Sequence, residues 1–350
     1  MASLEKPPRY RTGDAALDAS VLELVNTAGG DDPDLIFELV ASALRLARDA
    51  AGRGDLKIAN AALKEMRYAF HVFAPYRSDR KVAIFGSART KPDDPLYDLA
   101  RRFATAVAAH DWMVITGAGP GIMSAGIEGA GPENSFGVSI RLPFEATTSQ
   151  FIADDPKLIN FRYFFTRKLA FVKESHGFAL LPGGFGTLDE LFELLTLVQT
   201  GKANPVPIVA LDVPGATFWE RWRDFLAGSV EREGYTSSGD LDLVKTTDDV
   251  AEAVDYIVGF YRNYHSSRFV DGRLVLRMQH APTDAELAAL NADFADIVVR
   301  DEIEPIATTA PELVDGDHVD LARLAFRFDR HGWARLHALI DRLNTLPSLD

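Results

Sequence analysis

Between residues 82 and 211 the chain alternates short apolar runs with stretches of helical periodicity. The apolar runs cover residues 82–85, 112–116, 136–140, 178–181 and 206–211. The helical stretches between them cover about 96–110, 121–130, 161–175 and 187–200. Continuous apolar strands that alternate with helices are typical of a parallel sheet with helices on both faces. The sequence therefore predicts an α/β fold, a Rossmann-like, doubly wound parallel sheet.

Different patterns flank this region on both sides. Residues 14 to about 74 have helical periodicity, and Asp32 followed by Pro33 is typical of a helix start. Beyond residue 263 the pattern indicates a small α+β unit, with strands at 274–278 and 321–328 and helices at 285–297 and 333–343. We therefore expect three parts: a helical N-terminal segment at 1–79, a Rossmann-like domain at 80–262 and an α+β domain at 263–350.

The composition argues against several kinds of site and partner. The formal net charge of −14 over 350 residues disfavours nucleic acid and anionic membranes as partners. Cysteine is absent, which excludes disulfides, thiolate nucleophiles and cysteine-ligated metals. The eight histidines form no H-x-x-x-H or H-E-x-x-H pair, so we expect no metal site. The chain start carries no signal core and no apolar run approaches a membrane span, so we expect a cytoplasmic location.

The segment at 182–190, with the sequence PGGFGTLDE, lies between a predicted strand and a predicted helix. Glycines let a backbone approach a ligand closely, and a helix N-terminus offers unpaired N–H groups with a partial positive charge. This arrangement predicts a phosphate site. The candidate phosphate-binding residues are Gly183, Gly184, Gly186 and Thr187.

Glu190, at the end of this segment, has two interpretations. Thr187 and Glu190 have the T-x-x-E spacing of a capping box, in which the glutamate closes the helix start. Alternatively, Glu190 is a catalytic carboxylate beside the bound phosphate, because the loop has more glycines than a cap requires. Both interpretations are compatible with the residues.

Two further glycine loops follow predicted strands and would lie at the same sheet edge. The first contains Gly86 and Ser87, and the second is the Gly119-containing segment at 117–121. The second departs from the dinucleotide fingerprint, because Ile122 stands where the third glycine belongs and the expected acid is missing. We interpret it as a mononucleotide or phosphate loop rather than an NAD site; the alternative is tight strand-to-helix packing.

A basic, aromatic stretch at 161–173 contains four cations and no acid. Its cations are Arg162, Arg167, Lys168 and Lys173. Guanidinium groups suit phosphate, and aromatic faces suit a nucleobase. The alternative is a solvated helix face whose cations bind no ligand.

Together these residues resemble the LOG ("lonely guy") family, often labelled lysine decarboxylase-like. The family signature P-G-G-x-G-T-x-x-E is present in full at 182–190, and an Arg-Lys pair on the preceding helix is present at Arg167 and Lys168. The resemblance covers about 80–262, and the flanking segments are similar to those of longer bacterial members. The segment at 145–150 departs from the family pattern for base recognition.

The resemblance implies an enzyme that hydrolyses the N-glycosidic bond of a nucleoside 5'-monophosphate, such as AMP or a cytokinin riboside monophosphate. The products would be the free base and ribose 5-phosphate, and no cofactor would be needed. By the same resemblance, Glu190 would be the catalytic carboxylate, and Arg167 would hold the ribose and phosphate. The remaining substrate-binding residues would be Gly183, Gly184, Gly186, Thr187, Lys168, Gly86, Ser87 and Gly119. The family also implies a homodimer or a higher homo-oligomer.

Two other functions remain compatible with the sequence. One is a non-catalytic nucleotide sensor, in which the flanking segments report occupancy of the site. The other is a decarboxylase dependent on pyridoxal phosphate, which needs a Schiff-base lysine. Lys168 and Lys173 are candidates for that lysine by residue type alone.

Overall fold

The computed structural model describes residues 3–141, 149–237 and 239–349. It divides into two compact units, Met1–Glu65 and Met66–Asp350. The first unit contains α1 (Ala15–Ala28), α2 (Pro33–Arg48) and the first part of α3 (Arg53–Phe73).

The two complete helices of the first unit begin as their sequences predict. Asp14 caps α1, because its carboxylate accepts hydrogen bonds from the N–H groups of Ala16 and Leu17. Asp32 is the N-cap of α2 and Pro33 its first residue, which confirms the predicted helix start. A small core holds α1 and α2 together through Val21, Val25, Phe37 and Ala41.

The second unit contains a sheet of seven parallel strands in the order β4-β3-β2-β1-β5-β6-β7. The strands are β1 (Lys81–Phe85), β2 (Met113–Thr116), β3 (Ser135–Ile140), β4 (Leu158–Phe161), β5 (Gly177–Leu180), β6 (Ile208–Leu211) and β7 (Val244–Thr247). The central strand, β1, pairs with β2 on one side and β5 on the other. The strand order reverses between β1 and β5, and open parallel sheets bind their ligands at that point.

Helices cover both faces of this sheet, as the sequence predicts. They are α4 (Pro95–Ala108), α5 (Ile122–Ala130), α6 (Phe164–Glu174), α7 (Phe185–Gln199), α8 (Phe218–Leu226) and α9 (Val250–Gly259). Alternate residues of β1 enter different cores. Ala83 and Phe85 face the core formed with α6, α7 and α8, whereas Val82 and Ile84 face the core formed with α4, α5 and α9.

A second, antiparallel sheet lies in the C-terminal part of this unit, with the order β10-β11-β9-β8. Its strands are β8 (Tyr264–Val270), β9 (Arg273–Met278), β10 (Glu304–Pro305) and β11 (Ala322–Phe326), and the nearby helices are α10 (Asp284–Asp293), α11 (Ala310–Asp315) and α12 (Trp333–Asn344). The predicted strands at 274–278 and 321–328 and both predicted helices are confirmed. The division into parts at 1–79, 80–262 and 263–350 stays a prediction.

One face of the antiparallel sheet carries a buried ionic cluster. Glu312 is fully buried, and its carboxylate accepts hydrogen bonds from Arg277 at 2.7 Å and Arg323 at 3.0 Å. Arg277 also donates to Asp317 at 2.6 Å. In the part of the chain that the structure describes, no helix is both long and apolar enough to cross a membrane.

Candidate functional site

Three loops meet at the carboxyl ends of β1, β2 and β5. The Ser87 N–H donates to the Pro182 carbonyl at 3.1 Å, and the Ile122 N–H donates to the Ser87 carbonyl at 3.1 Å. Ser87 follows β1, Pro182 follows β5, and Ile122 begins α5 after the loop that leaves β2. The predicted convergence of the three glycine loops is therefore confirmed.

Glycine is required where these loops touch. Gly121 has φ of +68°, and a Cβ there would lie 2.3 Å from the Ser87 carbonyl oxygen. A Cβ at Gly86 would lie 2.7 Å from the Ile122 side chain. At Gly183 it would lie 2.1 Å from the Thr187 hydroxyl and 3.0 Å from the Ser87 nitrogen. Side chains at these positions would separate the loops.

The helix after the third loop begins earlier than a capping box would require. Its N-cap is Gly184, which makes no side-chain cap, and α7 starts at Phe185. Thr187 is then the third helical residue, and Glu190 lies in the second turn. The capping-box interpretation of Thr187 and Glu190 is therefore wrong, because the glycines let the backbone enter the helix before Thr187.

Gly184 and Gly186 face open space at the start of α7. Both residues are exposed, and a Cβ at either position would meet no atom within 4 Å. The first N–H groups of a helix have no carbonyl partner within the helix and carry a partial positive charge. The start of α7 can therefore accept an anion close to its backbone.

Glu190 is half-buried on α7. Burial raises the pKa of its carboxyl to about 7, although the positive charges of Lys168 and Arg167 oppose that rise. The group is therefore partly ionised near neutral pH, so it can both accept and release a proton there.

Arg167 connects α6 with strand β3 of the sheet and with the second glycine loop. Its Nε donates to the Val138 carbonyl of β3 at 2.9 Å. A Cβ at Gly117 would lie 2.5 Å from its Nη2, so the guanidinium lies against that loop. Burial lowers the pKa of Arg167, and the charge of Glu190 opposes this shift. Arg167 and Glu190 therefore interact electrostatically at the same sheet edge.

Lys168, the next residue on α6, is paired with carboxylates of α7. Its Nζ lies 2.8 Å from Asp189 and 2.5 Å from Glu193, and its side chain is 13% exposed. Burial would lower the pKa of Lys168, but these carboxylates raise it above its usual value. The structure thus places Lys168 beside the site, where it ties α6 to α7.

The other cations of the predicted basic stretch have separate surroundings. Lys173 pairs with Glu174 at 2.5 Å and lies 5.1 Å from the centroid of the Phe70 ring. Arg162 is exposed and lies over the Tyr163 ring, 5.5 Å from its centroid. Arg167 is the cation of this stretch that lies against a glycine loop.

Two residues beside the second loop were missed from the sequence. Met123 fills the space next to Gly117 and Gly119, where a Cβ would lie 2.6 Å and 2.7 Å from its side-chain atoms. Ser149 donates its N–H to the Ala118 carbonyl at 2.8 Å. A methionine and a serine carry no motif that would have identified them.

The departure from the family pattern at 145–150 falls mostly outside the described residues, since residues 142–148 are among those not described. Among the described ranges, no group of three or more His, Asp or Glu side chains could hold a metal ion.

Known proteins are similar to parts of this chain. A cytokinin riboside 5'-monophosphate phosphoribohydrolase of Mycobacterium tuberculosis is 28% identical over 178 residues, which is 50% of this chain and 92% of that protein. One from Arabidopsis thaliana is 34% identical over 88 residues, 25% of this chain and 39% of that protein. The molybdenum cofactor carrier protein of Chlamydomonas reinhardtii matches with a TM-score of 0.34 and 21% identity, over 50% of this chain and 94% of that chain.

The alignments are partial for the first-ranked relatives. This chain spans 39% of the Arabidopsis protein and 41% of a bifunctional cytokinin biosynthesis protein from Fusarium pseudograminearum. The family described as "possible lysine decarboxylase" matches residues 121–257, which contain the signature at 182–190 and Arg167. Over residues 121–257 the chain is therefore similar to this family, and the resemblance of its signature to the LOG family extends over the same region.

Proposed function

We propose that this chain hydrolyses the N-glycosidic bond of a nucleoside 5'-monophosphate, such as AMP or a cytokinin riboside monophosphate. One observation carries the proposal: Glu190, with its pKa near 7, interacts with Arg167 beside the junction of three glycine loops. The match of residues 121–257 to the family model and the names of the relatives support it.

The reaction breaks the bond between C1' of the ribose and the base nitrogen. Water supplies the hydroxyl that adds to C1', and its proton balances the negative charge on the departing base. As that bond breaks, positive charge develops on the ribose ring, and a carboxylate stabilises this charge or takes the proton from water. Glu190 is our candidate for this role.

The proposed binding groups follow from their positions. The open backbone at Gly184 and Gly186, together with Gly183 and Thr187, would hold the phosphate at the start of α7. Arg167 would pair with the phosphate or donate hydrogen bonds to the ribose hydroxyls, and would orient Glu190. Gly86, Ser87 and Gly119 would line the remaining pocket. Lys168 would act mainly by holding Asp189 and Glu193, and so the position of α7.

The direct test is release of ribose 5-phosphate from a panel of nucleoside 5'-monophosphates, with adenosine as a substrate without phosphate. We expect turnover of at least one monophosphate and little turnover of adenosine. Glu190→Gln should reduce turnover by about 10²–10⁴-fold while nucleotide binding persists. Glu220→Gln, an exposed acid on α8, is the matched control. Turnover by Glu190→Gln at the parent's rate would refute the catalytic role.

A non-catalytic nucleotide sensor is the main alternative, and it predicts binding of AMP without release of base from any nucleotide in the panel.

A pyridoxal phosphate enzyme is less consistent with the site. A Schiff-base lysine needs a lowered pKa, whereas the pKa of Lys168 is raised by its carboxylate partners. Purified protein with an absorbance band of bound pyridoxal phosphate would reverse this assessment.

We also propose that the chain forms a homodimer or a higher homo-oligomer through α6 and α7. Large apolar side chains are exposed on α6 at Phe164, Phe165 and Leu169, and Phe185 at the start of α7 is 95% exposed. Exposed apolar patches of this kind mark association surfaces. Light scattering should give a multiple of the monomer mass, and Phe165→Asp should lower it, whereas Val314→Asp on α11 should not. A monomer at micromolar concentration would refute the proposal.

A further inference from the structure

A cavity of about 230 Å³ lies beside α7, away from the loops of the candidate site. Four of its lining residues, Phe192, Leu195, Thr196 and Gln199, recur on α7 at the spacing of one helix face. With 3.6 residues per turn, that face lies nearly opposite Glu190. The cavity is therefore separate from the groups assigned to the glycosidic reaction.

The other walls of the cavity are mostly apolar. They come from α8 and from the segment that leads to β7, and include Phe225, Leu226, Val230, Leu241 and Leu243. Phe225 is 59% exposed, which places it at the rim rather than in the core. An apolar molecule that entered this space would replace water on these side chains, and that burial is favourable.

One wall of the cavity carries a buried carboxylate, Asp240, and a buried hydroxyl without a hydrogen-bond partner, that of Thr236. Asp240 is buried, and its Oδ2 accepts hydrogen bonds from Gln199 and from the Ser237 N–H. The Thr236 hydroxyl is buried and has no hydrogen-bond partner among residues 3–141, 149–237 and 239–349. Buried polar groups are normally paired, so this wall is suited to a hydrogen-bonding ligand.

We propose that this cavity is a second binding site, for a small, flat, apolar molecule that carries one N–H or O–H donor. A cavity of about 150 Å³ holds benzene, so this larger cavity has room for a two-ring molecule the size of indole. The donor would reach Asp240 or Thr236, and the rings would contact Phe192, Leu195 and Leu226. The site does not depend on the proposed hydrolysis, so either can fail without the other.

Calorimetric titration of the full chain with indole, and with indene as the matched hydrocarbon without an N–H, tests the ligand class. We expect saturable one-to-one binding of indole and about tenfold weaker binding of indene, since a hydrogen bond to a carboxylate has about that effect. Absence of saturable indole binding at millimolar concentration, or equal affinity for the two compounds, would overturn the proposal.

Variants locate the binding. Val230→Phe and, independently, Thr196→Phe should fill the cavity and weaken indole binding by tenfold or more. Val314→Phe, at an exposed position of α11, is the matched control and should bind like the parent. Melting temperatures establish that each variant is folded. Parent-like indole affinity in either folded cavity variant would place the ligand elsewhere and refute the assignment.

Discussion

Gly117 and Arg167 are packed so closely that a Cβ at Gly117 would lie 2.5 Å from the guanidinium Nη2. The loop after β2 thus sets how near Arg167 approaches the sheet edge. The Nε bond to Val138 fixes the other side of the same guanidinium. The position of the proposed substrate-binding cation is therefore determined by a glycine that itself has no functional group.

Gly117→Ala should displace Arg167 and the neighbouring Met123 side chain. Because both are ends of flexible side chains, we expect only about 1 kcal/mol or less loss of stability. Misplacement of a binding group by about 1 Å can lower kcat/KM by about 10²-fold. Gly228→Ala, where a Cβ meets open space, is the control. An unchanged kcat/KM in Gly117→Ala would show that activity does not depend on this position of Arg167.

The pH dependence of activity should reflect Glu190. If its carboxylate takes a proton or stabilises positive charge, the ionised form is active, and kcat/KM should rise with pH through about 7. The measurement is a pH profile of kcat/KM for the best nucleotide. A flat profile between pH 5 and 8 would exclude Glu190 as the titrating group.

The ionised form of Glu190 should also lower the stability of the folded protein at high pH. Its folded pKa of about 7 exceeds the ordinary value of 4.5, so folding favours the protonated form. The contribution of Glu190 to stability is therefore most favourable below about pH 4.5 and is lost as pH rises through about 7. Glu190→Gln should be about 1–3 kcal/mol more stable than the parent at pH 8 and similar at pH 4.5. Urea unfolding at pH 8 and at pH 4.5 measures the stability difference between Glu190→Gln and the parent. An equal difference at the two pH values would contradict the prediction.

Lys168→Met should have two separable effects. Loss of its pairs with Asp189 and Glu193 should destabilise the fold by about 1–3 kcal/mol. Since Lys168 lowers the pKa of Glu190, the midpoint of the activity profile should move to higher pH. Lys245→Met, which removes an exposed pair with Glu252, should leave that midpoint unchanged. An unmoved midpoint in Lys168→Met would show that Lys168 acts independently of Glu190.

The C-terminal sheet should depend strongly on Glu312. Glu312→Gln removes the charge that pairs with Arg277 and Arg323, and breaking a buried pair costs about 3–5 kcal/mol. Although burial opposes it, the hydrogen bonds from Thr309 and the two arginines hold the pKa of Glu312 at about 2. The parent should therefore lose this contribution only as pH falls from 4.5 towards 2. Glu304→Gln, which changes an exposed pair with Arg273, is the control. Equal unfolding free energies for Glu312→Gln and the parent would refute the prediction.

The sequence predicted the parallel sheet because its buried strands are continuous apolar runs. It missed β7, whose residues Val244-Lys245-Thr246-Thr247 include a single apolar side chain. That strand forms because it pairs with β6, for example Val244 with Ile208. The local sequence pattern gives no information on pairing with a distant strand. The edge strand β4 was missed because the polar, exposed Asn160 interrupts its short apolar run.

The site shows the same limit. The sequence made Glu190 a candidate through the signature at 182–190 and Arg167 through the Arg-Lys pair on the preceding helix, and both roles stay predictions. Spacing also suggested the wrong helix start, since the conformation of Gly184 decides it. The sequence suggested Lys168 as a substrate-binding cation and did not predict its ion pairs. Its partners Asp189 and Glu193 lie on the following helix and meet it only in three dimensions.

The central position of β1 has a consequence for how the site opens. Val82, Ala83 and Ile84 have no solvent exposure, and hydrogen bonds to β2 and β5 hold both edges of the strand. Amide hydrogens of such a strand exchange only when most of a domain unfolds. Ser87, which joins the three loops, follows directly from it. Hydrogen exchange should therefore find the loop junction among the last regions to open. Local opening of the site should be confined to the exposed start of α7.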